Sequence, residues 1–320
     1  MNEYTIVVPD NSVLACVCGT NDKNLELIEE HLGVPVFTKG NELSVHSDAP
    51  EIRQKFQFIV DRIVDEITSG GFYSEDVVLS VLNTNADLNT NVKSKKNMAS
   101  REQCILLPLS HKKIYARSQN QAEYIRMLQD YDMVFCTGSA GSGKTFLAVA
   151  TALSLVLSHK KNKIVITRPV VEAGESLGFL PGDLKDKIAP YLRPLRDSME
   201  TLLPSESVKK LFESEIIEVA PLAYMRGRTL SDCIVILDEA QNTTIAQMKM
   251  FLTRMGENSK IFVTGDLTQT DLPKKVSSGL LHALNILKNI DEIGFMELTA
   301  DDVVRNPLVK RIVRAYENEE

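Results

Sequence analysis

The chain has 320 residues, with 36 Lys and Arg against 43 Asp and Glu for a formal net charge of −7, and it is 43% apolar and 25% charged. That is the mix of a soluble globular protein, and it sets aside collagenous, disulfide-scaffold and fully disordered classes. The longest nearly apolar stretch, Phe146–Leu157, is too short to span a bilayer, so no membrane partner is expected.

Residues 1–82 read as a small α+β unit. Tyr4–Val8 and Val13–Cys18 are β-rich runs. Leu25–Leu32 reads as a helix with Leu25, Ile28 and Leu32 on one face. Val34–Thr38 and Glu42–His46 flank Lys39, Gly40 and Asn41, a hairpin turn. Pro50–Thr68 is the clearest amphipathic helix: Ile52, Phe56, Ile59, Ile63 and Ile67 form its apolar stripe, Pro50 suits its first turn, and Gly70 and Gly71 end it. Residues 83–110 open with an Asn, Thr, Ser and Lys-rich tract and read as a flexible linker. From 111 to 320, short apolar runs without polar alternation (Met133–Thr137, Lys163–Thr167, Ile216–Val219, Cys233–Leu237, Lys260–Thr264) have the pattern of strands buried on both faces of a parallel sheet. Between them lie helical stretches at Gln121–Leu128, Lys144–Ser158, Thr244–Met255 and Ser278–Lys288; Asn242 or Thr243 is expected to cap the third, and Gly256 to end it. The alternation predicts a doubly wound α/β domain.

The opening MNEYTIVVPD has no basic segment before an apolar run and predicts no secretory signal. The five cysteines are scattered and odd in number, and read as reduced thiols of a cytoplasmic protein. Charge is uneven: residues 1–110 hold 9 basic and 16 acidic side chains, the remainder 27 of each. Any nucleic-acid surface is therefore expected to be a local patch.

Three segments carry chemistry. Gly138, Ser139, Ala140, Gly141, Ser142, Gly143, Lys144 and Thr145 match G-x-x-x-x-G-K-[ST], with a predicted strand before and an apolar helix after. An accidental match in a chain of this size has odds on the order of one per cent. Gly138 and Gly143 let the backbone wrap a phosphate, consecutive amides and the helix N-terminus face the anion, Lys144 reaches the β- and γ-phosphates, and Thr145 binds Mg²⁺. Second, the run Cys233–Leu237 ends at Asp238 and Glu239, followed by Ala240 and Gln241. An acid at the end of such a strand faces the ligand crevice, which places Asp238 to hold Mg²⁺ and Glu239 to act as general base. This pair favours hydrolysis over transfer to a metabolite. Third, Thr264, Gly265, Asp266 and Gln269 follow the next strand, placing Asp266 and Gln269 as a nucleotide-state sensor.

In that order, with Thr167, Arg168 and Pro169 between the first two, these segments resemble motifs I, Ia, II and III of superfamily 1 helicases. Three longer strings, Glu172–Leu184, Pro190–Leu195 and Ala220–Leu230, together with Asp238–Thr253, resemble the PhoH-like (phosphate-starvation-inducible) ATPase family over roughly residues 112–318. The resemblance implies a RecA-like P-loop core, ATP as ligand, and a role in RNA metabolism. It implies adenine recognition by Gln121. The first unit resembles the KH-like domain these proteins carry, but its turn reads Gly19, Thr20, Asn21, Asp22, with an acid where the G-x-x-G clamp has its second glycine. RNA binding and protein docking or oligomerisation both stay open for this unit.

After Gln269 only about 50 residues remain, too few for the second RecA domain that completes a helicase site. An added arginine contributes about 10³–10⁵ in rate to phosphoryl transfer. A neighbouring subunit is therefore expected to supply one, in a homo-oligomer or ring, with Arg226, Arg228 and Arg305 as candidates. Arg168 is expected either to contact a nucleic-acid phosphate or to pair with Glu172; the segment Glu172–Pro204 reads as a substrate-gripping insertion or a subunit contact. The sequence thus supports Mg²⁺-dependent ATP hydrolysis coupled to RNA or ribonucleoprotein remodelling. The alternative is an ATP-gated adaptor that recruits a partner such as a ribonuclease with little turnover, and a metabolite kinase is a weaker third reading.

Overall fold

The computed structural model describes residues 3–68, 75–84, 104–110, 112–169, 193, 195–273, 275–299 and 302–303. The chain divides into two units, Met1–Leu106 with His111–Ala122, and Leu107–Ser110 with Glu123–Glu320.

In the first unit, β1 (Glu3–Val7), α1 (Asn11–Cys18), α2 (Lys23–Leu32), β2 (Val36–Lys39), β3 (Glu42–His46) and α3 (Pro50–Thr68) follow one another. The antiparallel sheet runs β1-β3-β2, and the pair Lys39 and Glu42 closes a two-residue hairpin turn with Gly40 at φ +65°. Phe56, Ile59 and Ile63 of α3 are buried with Leu25, Ile28, Leu43 and Val45 in one apolar core. The expected strand Val13–Cys18 is a helix instead. Asp10 caps it: its carboxylate accepts from the Ser12 and Val13 amides at 2.8 and 2.9 Å. Val13 and Val17, one helical turn apart, then both face the core, which outweighs the strand preference of β-branched residues. The turn Gly19–Asp22 joins α1 to α2, with Gly19, Asn21 and Asp22 all at positive φ. This β-α-α-β-β-α order gives the expected small α+β unit.

The glycines expected to end α3, Gly70 and Gly71, lie outside the described residues. The segment read as a linker, 83–110, contains structure at both ends. A helix, α4 (Glu75–Thr84), runs into its start, and a strand, β4 (Cys104–Leu107), pairs with β5 (Lys112–Tyr115) near its end. Ile105 and Leu107 are buried, so the apolar run there forms structure rather than a tether. Lys113 Nζ and Tyr115 Oη both donate to Glu66 Oε2, at 2.6 and 2.7 Å, fastening β5 to α3.

The second unit, into which α5 (Gln119–Asp130) leads, alternates strand and helix: β6 (Met133–Gly138), α6 (Lys144–Leu157), β7 (Lys163–Arg168), α7 (Ser205–Glu213), β8 (Ile217–Pro221), β9 (Cys233–Leu237), α8 (Ile245–Leu252), β10 (Lys260–Gly265), α9 (Gly279–Leu287) and β11 (Ile293–Leu298). Among the described residues these strands form one six-stranded parallel sheet in the order β11-β6-β10-β9-β7-β8. β10 thus separates the strand before the glycine-rich loop from the strand that ends in the acids. Every residue of β9 and β10 is buried, which accounts for the unbroken apolar run of β9 and the apolar middle of β10, Ile261–Val263. The edge strand β11 escaped sequence reading because Gly294 and Glu297 interrupt its pattern; Phe295 stacks on Phe135 at 5.4 Å and covers the sheet there. α8 is capped by Thr244 rather than by Asn242 or Thr243: Thr244 and Gln247 form a reciprocal capping box. It ends at Leu252, four residues before Gly256, whose amide donates to Leu230 O.

Candidate active site

The strand registers bring the ends of β6, β10, β9 and β7 level. Gly265 is opposite Thr137, Val263 opposite Leu237, and Thr167 opposite Leu237. The loops that follow these ends meet in the crevice where open parallel sheets bind ligands. There, Ala140, Gly141, Gly143, Lys144, Thr145, Phe146, Asp238, Glu239, Gly265, Asp266 and Gln269 line a cavity of about 250 Å³.

The loop between β6 and α6 needs its glycines. Gly138 has φ +143°, and a Cβ there would stand 2.1 Å from the backbone oxygen of Leu298 on β11. Gly143, at φ +93°, turns the chain into α6. Ser142 is fully buried, its hydroxyl donating to Ser139 O at 2.9 Å. Lys144 folds back on the loop, donating from Nζ to Gly138 O at 2.6 Å and Ser139 O at 2.8 Å. Burial pushes the Lys144 ammonium below the usual lysine range, and Asp266 leads the charges that oppose this.

Thr145, on the first turn of α6, and Asp238, just past β9, are 93 positions apart in sequence. The Thr145 hydroxyl nevertheless donates to Asp238 Oδ1 at 2.7 Å. Thr264, at the end of β10, donates to the same oxygen at 2.9 Å. Burial raises the Asp238 carboxyl above its ordinary value; the Arg168 guanidinium pulls it back, Glu239 pushes it up, and the two hydroxyls hold it down. Asp266 Oδ1 accepts from the Thr268 amide and hydroxyl at 2.9 and 2.6 Å, while its Oδ2 is buried without a hydrogen-bond partner among the described residues. A buried carboxylate oxygen left open in a polar cavity is a free acceptor.

Glu239 sits in a left-handed conformation, φ 54° and ψ 40°, at the start of a short turn over Ala240–Asn242. Arg168 Nη2 meets its Oε1 at 2.6 Å, and Gln241 Nε2 donates to its Oε2 at 2.6 Å. Gln241 in turn donates to Gln269 O at 3.2 Å and accepts from the Asp266 amide at 3.0 Å.

Lys144, Thr145, Asp238, Glu239, Gln269 and the loop residues therefore come together as the motif order implied. Gln121 is not among the cavity-lining residues; it is buried in the first unit, where its Oε1 accepts from the Arg117 amide at 2.9 Å. Arg168 faces Glu239 and, at 3.6 Å, Asp238 Oδ2; Glu172 lies outside the described residues, as do Arg305 and most of Glu172–Pro204. Arg228 is held by Glu218 through two hydrogen bonds of 2.6 and 2.9 Å. Arg226 is exposed. Two contributors were not assigned from sequence: Thr264, whose signal is a hydroxyl at a buried strand end, and Gln241, whose signal is its place two residues after Glu239.

The donor set suits a divalent cation beside a phosphate chain. Among the described residues, no cluster of three or more His, Cys, Asp or Glu forms a protein-only metal cage. The Thr145 hydroxyl and the Asp238 carboxylate are instead hard oxygens of the kind that bind a cation together with phosphate. The glycine loop, with Gly138, Gly141 and Gly143 all at positive φ, suits the phosphates.

Residues 113–317 match the family described as PhoH-like protein. The chain is 46% identical over 310 residues to the PhoH-like protein of Bacillus subtilis, covering 94% of this chain and 93% of that one. It is 40% identical to the PhoH-like protein of Synechocystis, covering 99% and 95% respectively. Among solved structures, the Pif1 helicase from Candida albicans aligns with a TM-score of 0.35 at 15% identity, covering 63% of this chain and 43% of that one. With a glycine-rich phosphate loop at the strand ends and near full-length relatives at this identity, the chain belongs to the PhoH-like protein family.

Proposed function

We propose that this chain binds ATP with Mg²⁺ and hydrolyses it, coupling hydrolysis to remodelling of RNA or a ribonucleoprotein. One observation carries the nucleotide reading: the 2.7 Å contact between Thr145 and Asp238, which joins the helix after the glycine loop to the acid past β9. Thr145 and Asp238 would hold the ion, which supplies neutralisation of phosphate charge. Lys144 exchanges its two loop carbonyls for phosphate oxygens. Loop amides orient the phosphates through fixed dipoles. Glu239 accepts the proton of the attacking water. Gln269 and Asp266 report the state of the nucleotide to the turn that holds Gln241.

The RNA limb rests on the motif order shared with superfamily 1 helicases. A homo-oligomer would complete the site with an arginine from a neighbouring copy. Arg228 is already committed to Glu218, which leaves Arg226 and Arg305 as the candidates. The acid at Asp22, on the turn between α1 and α2, opposes phosphate binding there, so the first unit would serve docking or assembly at least as well as RNA. A cytoplasmic location is proposed on the five free cysteines. Among the described residues, no helix is long and apolar enough to cross a membrane.

The test is ATP turnover with and without single-stranded RNA. Glu239→Gln is expected to keep ATP binding and lower turnover by roughly 10²–10⁴, the range for a lost general base. Tight ATP binding by the unaltered protein with neither turnover nor RNA stimulation would instead assign the adaptor, recruiting a partner such as a ribonuclease.

A further inference from the structure

We propose that Arg168 is a positioning residue for hydrolysis: from the end of β7 it fixes the carboxylate of Glu239, opposite a second fixed donor on Gln241. This inference rests on the ATPase reading above.

Glu239 has to be held in one orientation to act as a base. Its backbone is left-handed, a conformation that a residue other than glycine keeps only where the surroundings over-determine it. Its side chain is 38% exposed, so burial alone does not select a rotamer. An unrestrained glutamate there would sweep a wide arc, and a base must lie within hydrogen-bond reach of one particular water.

Two donors from different elements remove that freedom. Arg168 is placed by the sheet. The pairing of Thr167 with Leu237 sets Arg168 beside Asp238, and the Asp238 amide donates to Thr167 O at 3.0 Å. The guanidinium then reaches Glu239 Oε1 at 2.6 Å, with the Asp238 carboxylate behind it at 3.6 Å. Gln241 has a fixed amide orientation, because its Oε1 takes the Asp266 amide and its Nε2 serves Glu239 and Gln269 O; a flip would set N–H against N–H. Each carboxylate oxygen of Glu239 thus spends one acceptor position on a donor and keeps another for water.

A group that acts only through Glu239 loses its influence when Glu239 can no longer act. The experiment compares the full-length protein with Arg168→Gln, Arg168→Lys, Glu239→Gln and the Arg168→Gln/Glu239→Gln pair. ATP turnover is measured alongside the affinity for a fluorescent ATP analogue. Arg168→Gln is expected to lower kcat roughly 10-fold or more, the scale for removing a group that orients a reacting one, with analogue affinity held within about twofold. Arg168→Lys, which keeps the charge and one donor, recovers part of that loss. In the Glu239→Gln background, Arg168→Gln changes kcat by less than about twofold, the margin within which independent sites would already have added. Full multiplication of the two losses overturns the proposal, as does a fall in analogue affinity that matches the fall in kcat, or a rise in kcat on losing Arg168. If Arg168→Gln does not fold, Arg168→Lys carries the same comparison. An unaltered protein that binds the analogue but turns over no ATP overturns the ATPase reading itself and this proposal with it. Turnover in the unaltered protein with multiplicative losses overturns the role of Arg168 alone.

Discussion

Thr264→Val removes one hydroxyl and keeps the shape. Thr264 is fully buried, and its Oγ1 gives Asp238 Oδ1 a 2.9 Å hydrogen bond; Val leaves that oxygen with the Thr145 hydroxyl as its remaining donor. A hydrogen bond to a charged group contributes about 1.5–3 kcal/mol. Replacing a buried hydroxyl by a methyl returns part of this, so the net loss is about 1–2 kcal/mol. For a unit of this size that lowers the melting temperature by roughly 2–8 °C. The assay is thermal unfolding of the ligand-free protein followed by circular dichroism, repeated over pH. The hydrogen bond favours the ionised carboxyl, so the difference between the two proteins is largest where Asp238 is ionised. Asp238 titrates above its usual 3.8, and the difference fades as pH falls through that raised value. A shift below about 1 °C at neutral pH, or one that does not change on acidification, would refute the reasoning.

Gly138→Ala forces a side chain into φ +143° and against Leu298 O; a loss of about 3 kcal/mol or more is expected, and a melt indistinguishable from the unaltered protein would contradict it. Lys144→Ala should leave the ligand-free melt nearly unchanged, since the lost hydrogen bonds are offset by relief of a buried ammonium. It should also abolish the stabilisation by ATP, about 2.7 kcal/mol at a hundredfold excess over Kd in the unaltered protein. Glu218 is held down to about 2 from 4.5, chiefly by the Arg228 hydrogen bond. Its stabilising effect is therefore present above pH 4.5 and lost as pH falls toward 2. Arg228→Ala should remove about 1 kcal/mol at neutral pH, discounted for partly exposed side chains, and almost nothing at pH 2; equal losses at both pH values would count against it. Thr244→Ala should cost α8 about 1 kcal/mol through loss of its capping box, read as a lower denaturation midpoint in urea.

Local rules carried far where the physics is local. The helix Pro50–Thr68 was legible to its last residue, because a 3.6-residue stripe and a proline at the first turn leave one solution. The glycine loop was legible because its residue types are dictated by the backbone. α1 was misread because Val13 and Val17 suit a strand as readily as a helix, and only the Asp10 cap decides between them. The pairing of Arg168 with Glu239 lay beyond any spacing rule. It depends on β7 and β9 lying side by side in a set register, which no segment of sequence states by itself.

β10 has a consequence for how much change this architecture tolerates. Along a strand, side chains alternate between the two faces. A slip of one residue against β9 would present Val263 or Gly265, neither with a hydroxyl, where Thr264 meets Asp238. The spacing between acid and hydroxyl is thus ruled off by main-chain pairing, in steps of one residue. Lineages and engineers alike are free to lengthen the connecting loops, while an insertion or deletion within the central strands has no small version.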